Sequence, residues 1–170
     1  MNTFLKFGVR FIFVVLIQVL VLNQIEFGFG IQLMIYPLFI LLLPVELGIF
    51  PLLGLAFLMG MSIDAMSNTY GLHTSALLTF AYARPLVFKL FAPRDGYDTH
   101  LETNIFNMGN MWFLKTFGIL IIIHHFWFFL MEIFKLNELL FIFQKVILSV
   151  PISFLVCILL QYLFVKKSGE

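Results

Sequence analysis

The sequence predicts an all-α, polytopic membrane protein: a single membrane domain over residues 1–170, built as a six-transmembrane-helix bundle with both termini cytoplasmic. Three observations carry this prediction. The chain is 62% hydrophobic and 11% charged, with a mean hydropathy of +1.05, whereas a soluble domain is about half apolar and about a quarter charged. The apolar residues gather into tracts of span length, roughly 20 residues each. The basic residues collect at the tract ends that would lie on one side of a bilayer.

The same numbers exclude other classes. So short and apolar a chain would leave a greasy surface in water, which rules out a soluble globular domain or a disordered chain. A net charge of +1 supplies no field for phosphate, so no nucleic-acid partner is expected. Cys157 is the single cysteine, which excludes an internal disulfide and a cysteine metal cage.

The first span is read at about 5–22, interrupted by Lys6, Arg10 and Gln18. It is expected to stay in the protein and not to act as a signal peptide, because Asn23-Gln24-Ile25-Glu26 offers a polar turn and no small-residue cleavage site. Residues 27–63 are too long an apolar tract for one crossing. Pro44, Glu46 and Gly48 mark the break, since proline lacks a backbone donor and glycine favours turns. Two spans, 27–43 and 45–63, are therefore expected to meet in a tight hairpin. A polar gap follows, with Ser67, Asn68 and Thr69 as N-cap candidates for a fourth span over 72–91. Residues 92–115 form a polar cytoplasmic loop. The last spans are read at 116–134 and 139–165, the latter with Lys145 near one end and Pro151 inside.

Both termini inside puts Lys6, Arg10, Arg84, Lys89, Arg94, Lys115, Lys166 and Lys167 on the cytoplasmic face and only Lys135 and Lys145 outside. Arg84 and Lys89 fall within the fourth span, where long stems can snorkel to the headgroups.

Ala56, Gly60 and Asp64 recur every four residues and share one face of the third helix. Leu72, Ala76, Thr79 and Ala83 form a comparable stripe on the fourth, and the short gap between the helices predicts an antiparallel pair. Asp64 then sits at its outer end. It can cap a helix or face water, anchor a partner segment, or hold a proton or ion. His124 and His125 lie mid-span. Adjacent helical residues point about 100° apart, so the pair does not converge on one metal; one of them is expected to hydrogen-bond another helix. Glu132 and Lys135, at i and i+3, are expected to pair. In the loop, Asp98, His100 and Glu102 alternate without a second ligand cluster. Leu101, Ile105, Met108 and Trp112 have the spacing of an amphipathic helix, suited to the inner headgroup layer or to docking a cytoplasmic partner. No phosphate loop, nucleophile elbow or zinc-protease pair occurs, so no enzyme and no cofactor are expected.

Gly60-Met61-Ser62-Ile63-Asp64, a polar gap, then Gly71-Leu72-His73-Thr74-Ser75-Ala76 resemble the MreD family of bacterial rod-shape-determining proteins. Tyr82-Ala83-Arg84-Pro85 and Pro93-Arg94-Asp95-Gly96-Tyr97-Asp98 are similar to the form found in Bacteroidetes-type bacteria. The resemblance implies a non-catalytic scaffold subunit of the elongation (rod) complex in the bacterial inner membrane. Its partners would be MreC and, as a complex, RodA, the elongation-specific class B penicillin-binding protein and MreB, linking filaments to peptidoglycan synthesis and cell shape. On this reading Ala56, Gly60, Asp64, Gly71 and His73 form the partner surface, with Asp64 and His73 presenting polar groups at the outer interface, so that Asp64→Ala weakens the complex without unfolding the bundle. The family is also similar in fold to the substrate-binding subunits of energy-coupling-factor transporters. That likeness supplies the alternative, a vitamin-binding subunit whose outer pocket would be lined by Asp64, Asn68, His73, Ser75 and Thr79.

Overall fold

The computed structural model describes residues 3–25, 28–94, 96–98 and 102–165. Among them every regular element is helical: α1 (Thr3–Leu20), α2 (Pro37–Leu41), α3 (Ile49–Ser67), α4 (Leu72–Leu90), α5 (Ile105–Met108), α6 (Asn110–Ile133) and α7 (Leu139–Phe164), with 3-10 turns at Leu22–Gln24, Gly28–Gly30 and Leu136–Glu138. Four helical stretches are long and apolar enough to cross a membrane: Leu5–Gln24, Ile49–Ser67, Asn110–Ile133 and Leu139–Phe164. Their outward faces are apolar, with Ile12, Leu58, Ile122 and Ile147 all exposed. Such a surface suits lipid and not water. α4 packs between α3 and α6, α7 lies against α6, and α1 against α3.

The expected second span, 27–43, is not a helix. After the turn at Gly28–Gly30 the backbone runs without helix from 31 to 36 and then forms only the five-residue α2. Residues 33–43 are all buried, so this broken segment occupies the centre of the bundle. Glycines at 28 and 30 and proline at 37 explain the break. Gly30 takes φ +70°, which a side chain would resist. Pro37 has no N–H to give the carbonyl four residues back, Leu33.

Those orphaned groups are met by side chains. Gln18 of α1 donates from Nε2 to the Leu33 carbonyl and accepts the Ile35 N–H at Oε1, both at 2.9 Å. A single amide thus replaces a neighbouring strand. On the other side, Ser149 and Ser153 of α7 accept the N–H groups of Gln32 (3.1 Å) and Met34 (3.0 Å). Extended backbone turns successive amides to opposite sides, which is why residues 32 and 34 bond α7 while 33 and 35 bond α1. The two serines are four residues apart and share a helix face.

At its far end α2 exposes carbonyls with no helical partner. Arg84 of α4 donates from one guanidinium nitrogen to the carbonyls of Leu41, Leu43 and Pro44, and Thr103 Oγ1 donates to Leu41 at 2.5 Å. Arg84 is only 2% exposed. The expected snorkelling of this side chain is therefore corrected: it turns inward, where backbone dipoles take its charge.

Hydrogen bonds fix which ends lie together. Asn23 Nδ2 donates to Ser67 Oγ at 2.9 Å, joining the ends of α1 and α3 beside the α3–α4 turn. Gln32 Nε2 donates to Glu132 near the end of α6 at 2.9 Å. At the opposite end, Lys6 and Arg10 of α1 pair with Glu102, and the Ile105 N–H donates to Gln161 Oε1 of α7 at 2.8 Å. The central segment runs between these ends, joining the Gln32–Glu132 contact to Arg84.

The expected amphipathic helix through Leu101, Ile105, Met108 and Trp112 does not form as one piece. Leu101 lies outside the described residues. α5 spans only Ile105–Met108, capped by Asn104 Oδ1, and Gly109 at φ +84° separates it from α6. Ile105 is buried, and Trp112 sits in the first turn of α6, donating to Tyr97 Oη at 3.1 Å. α6 accordingly starts earlier than the expected residue 116.

Gln18→Leu strips partners from two buried backbone groups and is expected to cost about 2–5 kcal/mol; Ser153→Ala, which frees the Met34 N–H and takes the hydroxyl from beside the buried His125 Nε2, about 1–4 kcal/mol. Ser62 bonds only its own helix, and Ser62→Ala is expected to be near neutral. Thermal unfolding of the three variants in one detergent gives the ranking.

Candidate functional site

Gly60, Asp64, Gly71 and His73, from two of the motifs that carry the family resemblance, meet at the α3–α4 turn. α3 ends at Asn68, in the left-handed region at φ +53°. Tyr70 follows at φ +47°, fully exposed at the tip, and Gly71 at φ +92° starts α4. The N-cap position is Gly71, not Ser67, Asn68 or Thr69. Glycine has no side chain with which to cap, so the free N–H groups of α4 need an acceptor from elsewhere.

Asp64 supplies it from one turn inside α3. Oδ1 accepts the His73 N–H (3.0 Å) and the Thr69 hydroxyl (2.6 Å); Oδ2 accepts the Thr74 N–H (2.9 Å) and the Thr74 hydroxyl (2.6 Å). A carboxylate at a helix N-terminus is also favoured by the helix dipole. His73 Nδ1 lies 3.1 Å from Asp64 Oδ1 and from Thr69 Oγ1. The Thr69 proton is committed to Asp64, so Nδ1 carries the ring proton and donates. The His73 ring packs against Tyr36 and Phe128, with centroids 5.5 and 5.0 Å away.

The expectation that Asp64 and His73 present polar groups at the surface does not hold: each is 4% exposed. Ala56 and Gly60 do allow close helix approach, but to this chain's own α4. A Cβ on Gly60 would overlap Thr74 Cα and lie 2.8 Å from its nitrogen. Glycine is thus required where α4 crosses α3, and the cap one turn later holds the crossing in register.

Beside this lock lies a cleft of about 540 Å³, lined by Asn23, Gln32, Ser67, Thr69, His73 and Glu132 with apolar neighbours from residues 22–34. Of the residues expected to line an outer pocket only His73 takes part; Asp64, Asn68, Ser75 and Thr79 do not. Ser75 and Thr79 return their hydroxyls to their own helix. Glu132 pairs with Lys145 of α7 at 2.5 Å, correcting the expected Glu132–Lys135 pair, while Lys135 reaches Glu138 at 4.0 Å. Lys145 is buried over the Phe129 ring at 4.6 Å.

Deeper in the bundle, His124 and His125 are both buried. His125 Nδ1 lies 2.9 Å from the Ile121 carbonyl and donates to it, while Nε2 lies 3.1 Å from the Ser153 hydroxyl of α7. The structure thus brings His125 to another helix, as expected of one of the pair. His124 packs its ring on Tyr36 at 5.1 Å. Among the described residues no group of three His, Cys, Asp or Glu is placed to hold a metal ion; His100 lies outside them. At the opposite end, burial raises the Tyr97 phenol above its ordinary range, with the Trp112 hydrogen bond and Arg84 acting against that shift.

Sequence reasoning passed over Gln18, Ser149, Ser153 and Thr103. Each is a polar residue with a buried place in the fold. The available signal was the i, i+4 spacing of the two serines and a lone glutamine inside an apolar tract. No family model matches the chain, and no curated protein or solved structure matches it either.

Asp64→Ala leaves two backbone N–H groups, two hydroxyls and the His73 ring N–H without this acceptor, an expected loss of about 2–4 kcal/mol. The variant should therefore unfold earlier, and not merely lose a partner. Gly60→Ala is expected to cost about 1–3 kcal/mol through overlap with α4. At Gly54, in the same helix, an added Cβ meets nothing within 4 Å, and alanine there should be neutral or stabilising by up to about 1 kcal/mol. Melting temperatures in detergent test all three.

Proposed function

We propose that this protein is a non-catalytic membrane scaffold subunit of the MreD type, binding MreC and linking MreB filaments to the peptidoglycan-synthesis enzymes of the rod complex. One observation carries the proposal. Gly60, Asp64, Gly71 and His73, on which the resemblance rests, form one interlocked unit in which each residue type has a steric or hydrogen-bonding reason. A motif with that role marks a fold family, and the resemblance links the fold to the rod complex.

In this reading the chain crosses the inner membrane six times, with both termini cytoplasmic. Four passes are the long apolar helices. α4 and the broken segment over 28–43 make the other two; its part over 31–41 alone reaches roughly 25 Å at the rises of extended and helical backbone. Non-helical backbone is tolerated at membrane depth when it is buried in protein. The end bearing Lys6, Arg10, Arg84, Lys89, Arg94 and Lys115 is the cytoplasmic one. Since Ala56, Gly60 and Asp64 are consumed internally, the partner face moves to the outward side of α3, where Phe57, Leu58 and Met61 are exposed.

A second reading has its own support. The polar cleft of about 540 Å³ beside His73 is of ligand size and opens at the end this topology puts outside. It favours a vitamin-binding subunit of an energy-coupling-factor type transporter.

Tagged protein recovered from its native membrane in mild detergent should carry MreC and the wall-synthesis enzymes. Phe57→Ala with Met61→Ala should lower MreC recovery about tenfold at unchanged melting temperature, as loss of two interface anchors would. Recovery of an ATPase pair with a coupling membrane subunit, together with thermal stabilisation by one of a panel of vitamins, would replace this reading with the second. Topology is read by labelling. The native Cys157 is buried, whereas Tyr70→Cys should react with an impermeant maleimide on intact cells and Glu46→Cys only after permeabilisation.

A further inference from the structure

Arg84 has a second consequence besides anchoring α2. Its Nε is buried and has no hydrogen-bond partner among the described residues. Its guanidinium carbon lies 4.4 Å from the centre of the Phe88 ring, and the bonds it makes go to neutral carbonyls. The side chain also lines a cavity of about 450 Å³ at the loop end, between α4 and residues 45–49. Lys89, exposed and five residues on in α4, lines the same cavity, as do Tyr97 and the apolar Val45, Leu47, Ile49 and Pro85. Among the described residues the lining contains two cations, Arg84 and Lys89, and no carboxylate.

We propose that this cavity is a binding site for the phosphate headgroup of an anionic phospholipid. A phosphodiester would meet the guanidinium by charge-assisted hydrogen bonds, for which the planar donor fork of arginine is suited, and the Lys89 ammonium would close on it from the surface. The surroundings favour a lipid over a free phosphate. Leu86 and Leu90, each next in the chain to a lining residue (Pro85 and Lys89), are 62% and 74% exposed and offer acyl chains an apolar surface on the same helix. The inference needs only that this end of the bundle lies at a membrane surface, and does not depend on which partner the protein binds. A second cation beside Arg84 is what separates this cavity from a mere cap: Lys89 contributes no bond to the central segment, yet faces the same space.

Native mass spectrometry of the purified full chain in neutral detergent tests the site. Phosphatidylglycerol and phosphatidylcholine of identical chains are added in separate titrations. One phosphatidylglycerol should be retained in preference to phosphatidylcholine, and Lys89→Gln should weaken that retention about fivefold, the amount expected of one basic residue at an anionic lipid surface. Lys115→Gln, an exposed lysine outside the cavity, should leave it unchanged. Arg84→Gln would also disturb the fold, so Lys89 is the deciding position and its melting temperature should match the parent. Equal retention of both lipids, or equal losses at Lys89 and Lys115, would overturn the proposal. Displacement of the lipid by inorganic phosphate at millimolar concentration would likewise overturn it in favour of a free-anion site.

Discussion

Backbone amides left unpaired inside an apolar bundle are costly, and residues 31–44 place that cost at the centre of this fold. A helix would satisfy them internally, but Gly28, Gly30 and Pro37 deny one. The solution is distributed: Gln18 from α1, Ser149 and Ser153 from α7, Arg84 from α4 and Thr103 from the loop each complete part of the broken segment. These contacts also fix the height of each surrounding helix against the others. Apolar side chains alone would let such helices slide, because lipid-like surfaces give little preference for one register over another. The broken segment acts as a template whose fixed donors and acceptors decide where α1, α4 and α7 must stand.

The second device is local to α3 and α4. Gly60 brings the two backbones together, and Asp64 caps the helix that Gly71 starts but cannot cap. Distance between the residues in the sequence hides how tightly they are joined: the side chain at 64 and the amides at 73 and 74 form one set of bonds across a left-handed turn. Buried polar groups of this kind are effective only when every member is satisfied. Thr69 and Thr74 use their hydroxyls to complete the carboxylate's shell, and His73 adds its ring N–H.

The class of the fold was legible from composition, because a chain this apolar has few alternatives. α1, α3, α4 and α7 were legible from span length, and the α3–α4 pairing from small residues at four-residue spacing. The second span was not legible. Hydropathy counts apolar residues but does not see whether the backbone can close its own hydrogen bonds, and Gly28, Gly30 and Pro37 weigh little in a tract so rich in Leu, Ile and Phe. The amphipathic pattern at 101–112 failed for a related reason: the spacing was right, but Gly109 adopts a conformation no helix contains. At the site, the residue types at 60, 64, 71 and 73 pointed correctly to a meeting of two helices. They did not reveal that Asp64 and His73 are buried within that contact instead of facing a partner, since an aspartate accepts hydrogen bonds from any donor.

This division of labour bears on how function must be carried. The interior polar groups of α3 and α4 are committed to the chain's own backbone, so a partner at that hairpin finds apolar side chains outside and polar groups only where the fold leaves an opening. Two openings among the described residues differ in chemistry. One lies beside His73 and Glu132, where acceptors and amides line a cleft; the other lies beside Arg84 and Lys89, where the lining is cationic. Each stands at one end of the central segment, next to a residue that helps to hold that segment or its neighbours in place. An occupant of either opening would therefore act on the register of the bundle as well as on its surface.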